Sequence, residues 1–143
     1  MESSGGTIRS YEDLKVYQRA MALLGPVHEL CLTLPDHEKY DLASQLRRAC
    51  KSVPANIAEG YAKKRSAKEF RAFLTNAMGS ANEMVVHLRI PRELRYLSQE
   101  DCESLIREYD VLGRQLNTLI GRWRSLDSKP PTSNLQLPGD HGA

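Results

Sequence analysis

Apolar residues recur at steps of three and four positions in four separate segments of this chain. That spacing places them on one side of a helix, and no segment alternates apolar and polar residues for long enough to predict a strand. Four amphipathic helices joined by short loops bury their apolar sides best by packing against one another. The sequence therefore predicts one all-α domain over residues 10–126, an antiparallel up-and-down four-helix bundle.

The first predicted helix begins at Ser10, whose hydroxyl can cap it while Asp13 reaches back in a variant of the capping box. Gly25-Pro26 interrupts the helix, and because proline removes a backbone donor, we expect a kink there. The helix ends at Pro35. Its expected inner face consists of Leu14, Tyr17, Met21, Leu24, Val27, Cys31 and Leu34.

The second predicted helix runs from about Tyr40 to Tyr61. Pro54 lies inside it and is expected either to bend the helix or to split it. Either Gly60 or the basic run at 63–65 marks its end. Its expected inner face consists of Leu42, Leu46, Ala49, Cys50, Val53, Ile57 and Tyr61.

Serine caps open the third and fourth predicted helices: Ser66 with Glu69, and Ser98 with Asp101. Pro91 falls near the end of the third helix, where it restricts the preceding residue. The third inner face is Phe70, Phe73, Leu74, Ala77, Met78, Ala81, Met84, Val85 and Leu88. The fourth is Cys102, Leu105, Ile106, Tyr109, Leu112, Leu116, Leu119, Ile120 and Trp123.

The two ends of the chain show no periodicity. Residues 1–9 are polar and lack the apolar stretch of a signal peptide, and residues 127–143 are rich in proline, glycine and serine, so both are predicted to be disordered. No run approaches the ~20 apolar residues of a membrane-spanning helix. Cys31, Cys50 and Cys102 each lie in an apolar pattern, as reduced core thiols do. We therefore expect a cytoplasmic protein without a membrane partner.

Basic residues are concentrated in the middle of the chain. Between Lys39 and Arg71 there are nine basic and three acidic residues, whereas the whole chain carries a net charge of +2. Arg47, Arg48 and Lys51 are expected to share one face of the second helix. The candidate nucleic-acid-binding residues are Arg47, Arg48, Lys51, Lys63, Lys64, Arg65, Lys68 and Arg71. Such a patch suits phosphate backbones, but it is also typical of a solvated face or of a surface that binds an acidic protein.

The other polar residues are expected to have structural roles and not to form a metal or catalytic site. His28 and Cys31 have the spacing of metal ligands, but no second pair accompanies them, so we expect core residues and no metal or cofactor. Asn56 and Glu59 flank the second inner face. We expect them to bond to another helix, near Asn82 or Glu83, or across a subunit interface; ligand binding is the second interpretation. No motif supplies a nucleophile with its base, so catalysis is not expected.

Several segments together resemble a known family. They are Tyr11–Gln18 (YEDLKVYQ), Leu42–Arg48 (LASQLRR), Ser52–Gly60 (SVPANIAEG), Lys68-Glu69-Phe70, Leu74, Ala77, Gly79-Ser80, Glu83, Glu93-Leu94 and Tyr96-Leu97-Ser98. These are similar to the bacterial four helix bundle protein family, which includes proteins encoded in intervening sequences of large-subunit ribosomal RNA genes. The resemblance spans roughly Ile8 to Leu126. Pro91 and Arg95 depart from it, since the family more often has a small residue and a glycine there.

The resemblance implies a homopentamer, and a relation to the accessory variability determinant of diversity-generating retroelements, a basic pentameric barrel that binds a reverse transcriptase and nucleic acid. Together with the basic patch, it predicts a non-catalytic homo-oligomeric bundle that binds RNA or DNA. Such a bundle would serve as an accessory to a reverse transcriptase or act in connection with ribosomal RNA. The alternative is a protein-interaction scaffold that does not bind nucleic acid.

Overall fold

The computed structural model describes residues 7–124, which form helices and connecting turns and contain no strand. The helices are α1 (Lys15–Ala22), α2 (Leu24–Leu32), α3 (Leu42–Ala62), α4 (Ala67–Glu93) and α5 (Gln99–Arg124). Short 3-10 turns cover Tyr11–Asp13 and Asp36–Glu38. The predicted tail at 127–143, and residues 1–6 of the predicted N-terminal segment, lie outside the described part of the chain.

The first predicted helix is divided into α1 and α2. The capping box at Ser10 and Asp13 is confirmed, but it caps a 3-10 turn that precedes α1. The break falls at Leu23, upstream of the expected kink at Gly25-Pro26. Pro26 has no N–H to donate to the carbonyl of Ala22, four residues earlier, so the helical hydrogen bonding is interrupted there. The break also moves the buried side, so Met21, expected in the core, is 43% exposed. Val16, Ala20 and Leu23 are buried instead.

The second predicted helix, α3, is continuous through Pro54, so the expectation that it splits is wrong. Pro54 is buried with the inner face of the helix. Lys63 caps the C-terminal end, which places Gly60 inside the helix and confirms the basic run as its end. Gly60 is buried where α3 meets α4: a Cβ added to it would lie 2.7 Å from the Phe73 Cβ.

Helices α4 and α5 begin as predicted. The Ser66 hydroxyl accepts from the Glu69 N–H, and the Ser98 hydroxyl accepts from the Asp101 N–H, each at 3.1 Å. Pro91 is buried in the last turn of α4. Beyond it, Arg95 has φ 61°, a left-handed conformation that glycine adopts more easily. Arg95 therefore adopts a conformation that a glycine, which the resemblance leads us to expect here, would adopt without strain.

One apolar core runs along the bundle. α3 packs between α1–α2 and α4, α4 packs between α3 and α5, and α5 also contacts α1. All nine expected core residues of α5 are buried, and the ring of Trp123 lies edge-on against Phe70 with centroids 4.6 Å apart. Polar contacts join the helices around this core, including Arg19 with Glu108 at 2.6 Å and Arg92 with Glu103. The four-helix bundle is confirmed over the described residues.

No helix within residues 7–124 is both long enough and apolar enough to cross a membrane.

Candidate nucleic-acid interface

The structure divides the eight candidate basic residues between two places. Five surround the turn between α3 and α4 and are called the turn cluster: Lys63, Lys64, Arg65, Lys68 and Arg71. The other three lie in the first half of α3: Arg47, Arg48 and Lys51. At a rise of about 1.5 Å per residue, Lys51 and Lys63 are roughly 18 Å apart along the helix. The predicted single patch is therefore two separate surfaces.

The turn cluster is held by a short, well-bonded connection. The Lys63 N–H donates to the Gly60 carbonyl at 2.9 Å, and the Ser66 N–H donates to the Lys63 carbonyl at 3.1 Å. Two lysines also rest on aromatic rings, with the Lys63 Nζ 4.9 Å from the centre of Phe73 and the Lys64 Nζ 4.2 Å from that of Tyr61. These cation–π contacts place the two ammonium groups at the end of the bundle.

Few carboxylates oppose the turn cluster. The Glu59 Oε2 lies 3.7 Å from the Lys63 Nζ, but both side chains are about half exposed, at 56% and 45%. An ion pair that exposed contributes little energy, so Lys63 can exchange Glu59 for another anion at little cost. Glu69 is the acidic residue in the first turn of α4. The side chains of Arg65 and Lys68 are exposed to solvent. The turn therefore presents a surface of net positive charge.

The last turn of α5 adds cations to the same end of the bundle. Because α4 and α5 are antiparallel, the contact between Phe70 and Trp123 places the end of α5 beside the start of α4. Arg122 and Arg124 lie in that last turn. They were missed in the sequence because only the helix topology brings them near residues 63–71. Cations at a helix C-terminus also stabilise the helix dipole, which is a structural reason for their position.

The three basic residues in the first half of α3 do not share one face. Arg47 turns toward the α2 side, where its Nη2 donates to the Lys39 carbonyl at 3.3 Å. Arg48 lies on the opposite flank, in an open groove between α3 and α4. The groove, of about 490 Å³, is lined by Gln45, Arg48, Ala49, Ser52, Glu83 and His87. The expectation that all three share one face is therefore wrong for Arg47 and Arg48, which lie on different flanks of α3.

Asn56 bonds within its own helix. Its Nδ2 donates to the Ser52 carbonyl at 2.9 Å and to the Ser52 hydroxyl at 3.1 Å. The link across to α4 is made by Ser52, whose hydroxyl lies 2.8 Å from that of Ser80. Glu59 is exposed and pairs with Lys63. The expected bonds from Asn56 and Glu59 toward Asn82 or Glu83 are therefore replaced by this Ser52–Ser80 contact.

The cysteines are free thiols in the core. Burial raises the pKa of each thiol, and raises that of Cys50 to about 11. A thiol with a raised pKa stays protonated near neutral pH and is a poor nucleophile. The Nδ1 of His28 lies 2.9 Å from the Leu24 carbonyl of its own helix. Within residues 7–124, no three His, Cys, Asp or Glu side chains lie close enough to hold a metal ion.

The Cys50 thiol makes stability depend on pH in the alkaline range. Because its pKa rises from 9.0 to about 11 on folding, the unfolded chain loses this proton first. The stabilisation is complete below about pH 9 and is lost as the pH rises through about 11. We expect the free energy of unfolding to fall over this range by about 1 to 2 kcal/mol more in wild type than in Cys50→Ala. Urea unfolding at several pH values measures this, and identical pH slopes would refute it.

The chain matches one protein family and resembles a solved structure. A sequence model of the family described as "23S rRNA-intervening sequence protein" matches residues 12–118. The search of curated proteins found no match. The chain is also similar to a crystal structure from Bacteroides thetaiotaomicron VPI-5482, described as a protein with unknown function from the S23 ribosomal protein family. That likeness has a TM-score of 0.67 at 24% identity and covers 73% of this chain and 97% of the other, which indicates a shared fold.

Proposed function

Because the chain belongs to the 23S rRNA-intervening sequence protein family, we propose that it is a non-catalytic, self-associating helical bundle that binds RNA through the turn cluster. The observation that carries the proposal is the turn cluster itself, five basic residues within residues 63–71 at one end of the bundle. The family description links its members to ribosomal RNA, which favours RNA over DNA as the ligand.

The geometry of the turn suits contact with phosphates. Arg65 can bind a phosphate through two parallel hydrogen bonds, whereas the lysines act as point charges. Tyr61 and Phe73 already have lysine ammonium groups over their rings, which makes them poor platforms for base stacking. Recognition would then depend on the charge and shape of the RNA more than on its base sequence.

Arg48 and Lys51 offer a second contact on the same helix. Both side chains are exposed, and their spacing of three residues places them near one another on the surface of α3. An RNA that extends along α3 from the turn cluster would reach them after roughly 18 Å. The proposal therefore has a primary surface at the turn and a secondary one along α3.

The salt dependence of RNA binding tests the proposal. If about five cations each displace a counterion from a single-stranded region, affinity should fall roughly a hundredfold between 50 and 200 mM salt. Fluorescence anisotropy with a labelled structured RNA, titrated at several salt concentrations, measures the slope. Absence of binding at the lowest salt concentration would refute the proposal.

Exposed apolar residues favour protein binding as a second candidate function. Leu32 and Tyr40, near the junction of α2 and α3, are 86% and 85% exposed. Exposed apolar side chains mark a protein-binding surface where they form one contiguous patch. The scaffold alternative would use such a surface without RNA. The homopentamer and the reverse transcriptase partner implied by the resemblance stay predictions, which light scattering and co-purification can test.

A further inference from the structure

The open groove between α3 and α4 has the size of a small-molecule site. Its volume of about 490 Å³ lies within the range of roughly 300 to 1,000 Å³ that such sites occupy. Its lining combines a cation, a carboxylate, an imidazole, a hydroxyl, an amide and a methyl group, which belong to Arg48, Glu83, His87, Ser52, Gln45 and Ala49. This mixture suits a ligand that carries both a charge and several hydrogen-bonding atoms.

The groove lies on the seam between the two helices that the turn cluster connects. The hydroxyls of Ser52 and Ser80 lie 2.8 Å apart across this seam, and Ser52 also lines the groove. At a rise of about 1.5 Å per residue, Arg48 is roughly 22 Å along α3 from Lys63. An RNA that follows the seam from the turn cluster therefore reaches the groove.

Arg48 supplies a cation in the groove. Its side chain is exposed, and within residues 7–124 no carboxylate or carbonyl binds its guanidinium. Its neighbour Arg47, by contrast, already donates to the Lys39 carbonyl. A guanidinium without a partner can bind a phosphate through two parallel hydrogen bonds. We therefore expect the anionic part of the ligand at Arg48.

Glu83 supplies a hydrogen-bond acceptor that His87 orients. The Glu83 Oε2 lies 3.3 Å from the His87 Nε2, one turn along α4. The His87 Nδ1 is buried and has no hydrogen-bond partner in the described part of the chain. Buried N–H groups without a partner are rarer than buried acceptors without one, so the ring hydrogen is assigned to Nε2, which donates to Glu83. Because the Glu83 side chain is 57% exposed, its other lone pairs can accept from a ligand.

We infer that the groove binds one unpaired nucleotide of the RNA, with its phosphate on Arg48 and the amino group of its base on Glu83. The inference rests on the proposed function, because an RNA held at the turn cluster supplies the nucleotide. Unpaired bases in loops and bulges have free edges, and proteins read RNA sequence mainly there.

The Glu83 carboxylate makes the groove selective among bases. An ionised carboxylate accepts hydrogen bonds and donates none, so it pairs with the exocyclic amino group of cytosine, adenine or guanine. Uracil has no amino group, and its carbonyl oxygens would face the carboxylate with the same sign of charge. Recognition at the turn cluster then depends on charge and shape, while the groove adds a base preference at one position.

Two RNA hairpins that differ in one bulged nucleotide test the inference. The bulge is cytosine in one hairpin and uracil in the other, so the ring size is the same and only the amino group is lost. In fluorescence anisotropy at about 100 mM salt, the wild-type protein should bind the cytosine hairpin about tenfold more tightly, the effect of one hydrogen bond to a charged group. Equal affinities for the two hairpins would overturn the inference.

Glu83→Gln assigns the preference to its residue. The glutamine amide has nearly the same shape but both donates and accepts, so it can also pair with a uracil carbonyl. We expect the two hairpins to bind this variant with affinities within about twofold of each other, with helix content unchanged in circular dichroism. Glu93→Gln is the matched control, since Glu93 is an exposed glutamate of α4 outside the groove lining, and it should keep the tenfold preference. A preference that survives in Glu83→Gln would contradict the assignment.

Arg48→Gln tests the phosphate contact. It should weaken the binding of both hairpins several-fold and leave the ratio between them unchanged, because a phosphate is present whichever base is attached. Weaker binding in this variant without any base preference in the wild type would reduce the groove to a phosphate contact and overturn the base site.

Free nucleotides separate this inference from the proposed function. Wild type and Glu83→Gln can be titrated with cytidine and uridine 5′-monophosphates and followed by NMR, which probes the groove independently of the turn cluster. Hairpin binding without a base preference, together with nucleotide binding that ignores Glu83, would overturn the groove and leave the RNA surface at the turn in place. Absence of hairpin binding, together with Glu83-dependent binding of the cytidine nucleotide, would refute the proposed function and support the groove as a nucleotide site.

Discussion

Replacing Lys63, Lys64 and Arg65 with glutamate should weaken RNA binding at least a hundredfold at about 100 mM salt. The triple variant removes three of the five cations of the turn cluster and places three carboxylates where phosphates would bind. It should also flatten the dependence of affinity on salt, because fewer counterions are released. Anisotropy with the same labelled RNA measures both quantities.

The control for this variant must change the net charge equally at another place. Lys39→Glu, Arg107→Glu and Arg114→Glu together do so, because all three residues are exposed and lie outside the turn cluster. We expect the control to lose affinity by only a few fold, through the weaker long-range field. If both triple variants lose affinity equally, binding depends on overall charge and the turn cluster is not the site. Circular dichroism should show helices in both.

The sequence predicts the core best where a helix is uninterrupted. All nine expected inner residues of α5 are buried, because a regular helix has one apolar side and α5 has no proline or internal break. In α4, Phe73 and Met78 are only partly buried, and the other seven expected residues are buried. The spacing of apolar residues predicts burial reliably in α4 and α5 because each is a regular helix of more than six turns.

The first helix shows where such a pattern fails. The expected face was one apolar pattern from Leu14 to Leu34 with a kink at Gly25-Pro26, but the chain turns earlier, at Leu23. Each segment then has its own buried side, and Met21 faces solvent while Val16 is buried. A proline indicates that a helix is interrupted, but how the two pieces pack against the bundle decides which residues are buried.

The candidate interface was only partly predictable for a similar reason. The excess of basic residues between Lys39 and Arg71 is visible in the sequence, but not the direction in which each side chain points. Arg47 and Arg48 are adjacent, and a helix turns about 100° between them, so they lie on different flanks. Arg122 and Arg124 reach the turn cluster only because α5 returns to that end of the bundle.

Gly60→Ala should destabilise the bundle by about 2 to 3 kcal/mol, although alanine is the better helix former. The added Cβ would lie 2.7 Å from the Phe73 Cβ and 3.0 Å from the Phe70 Cδ1, so α3 and α4 would have to separate. The Phe73 Cβ is fixed to the backbone of α4 and cannot rotate away. Phe70 is fully buried against Trp123, so a shift there would disturb the core.

Gly121→Ala shows what the same substitution does without the close contact. Gly121 lies in α5 with nothing within 4 Å of an added Cβ, so alanine should raise the free energy of unfolding by up to about 1 kcal/mol. Urea unfolding of both variants should therefore give changes of opposite sign. If Gly60→Ala were also stabilising, the helices would not pack as closely as the structure shows. Gly60 would then behave like Gly121, as an interior helix position without a close neighbour.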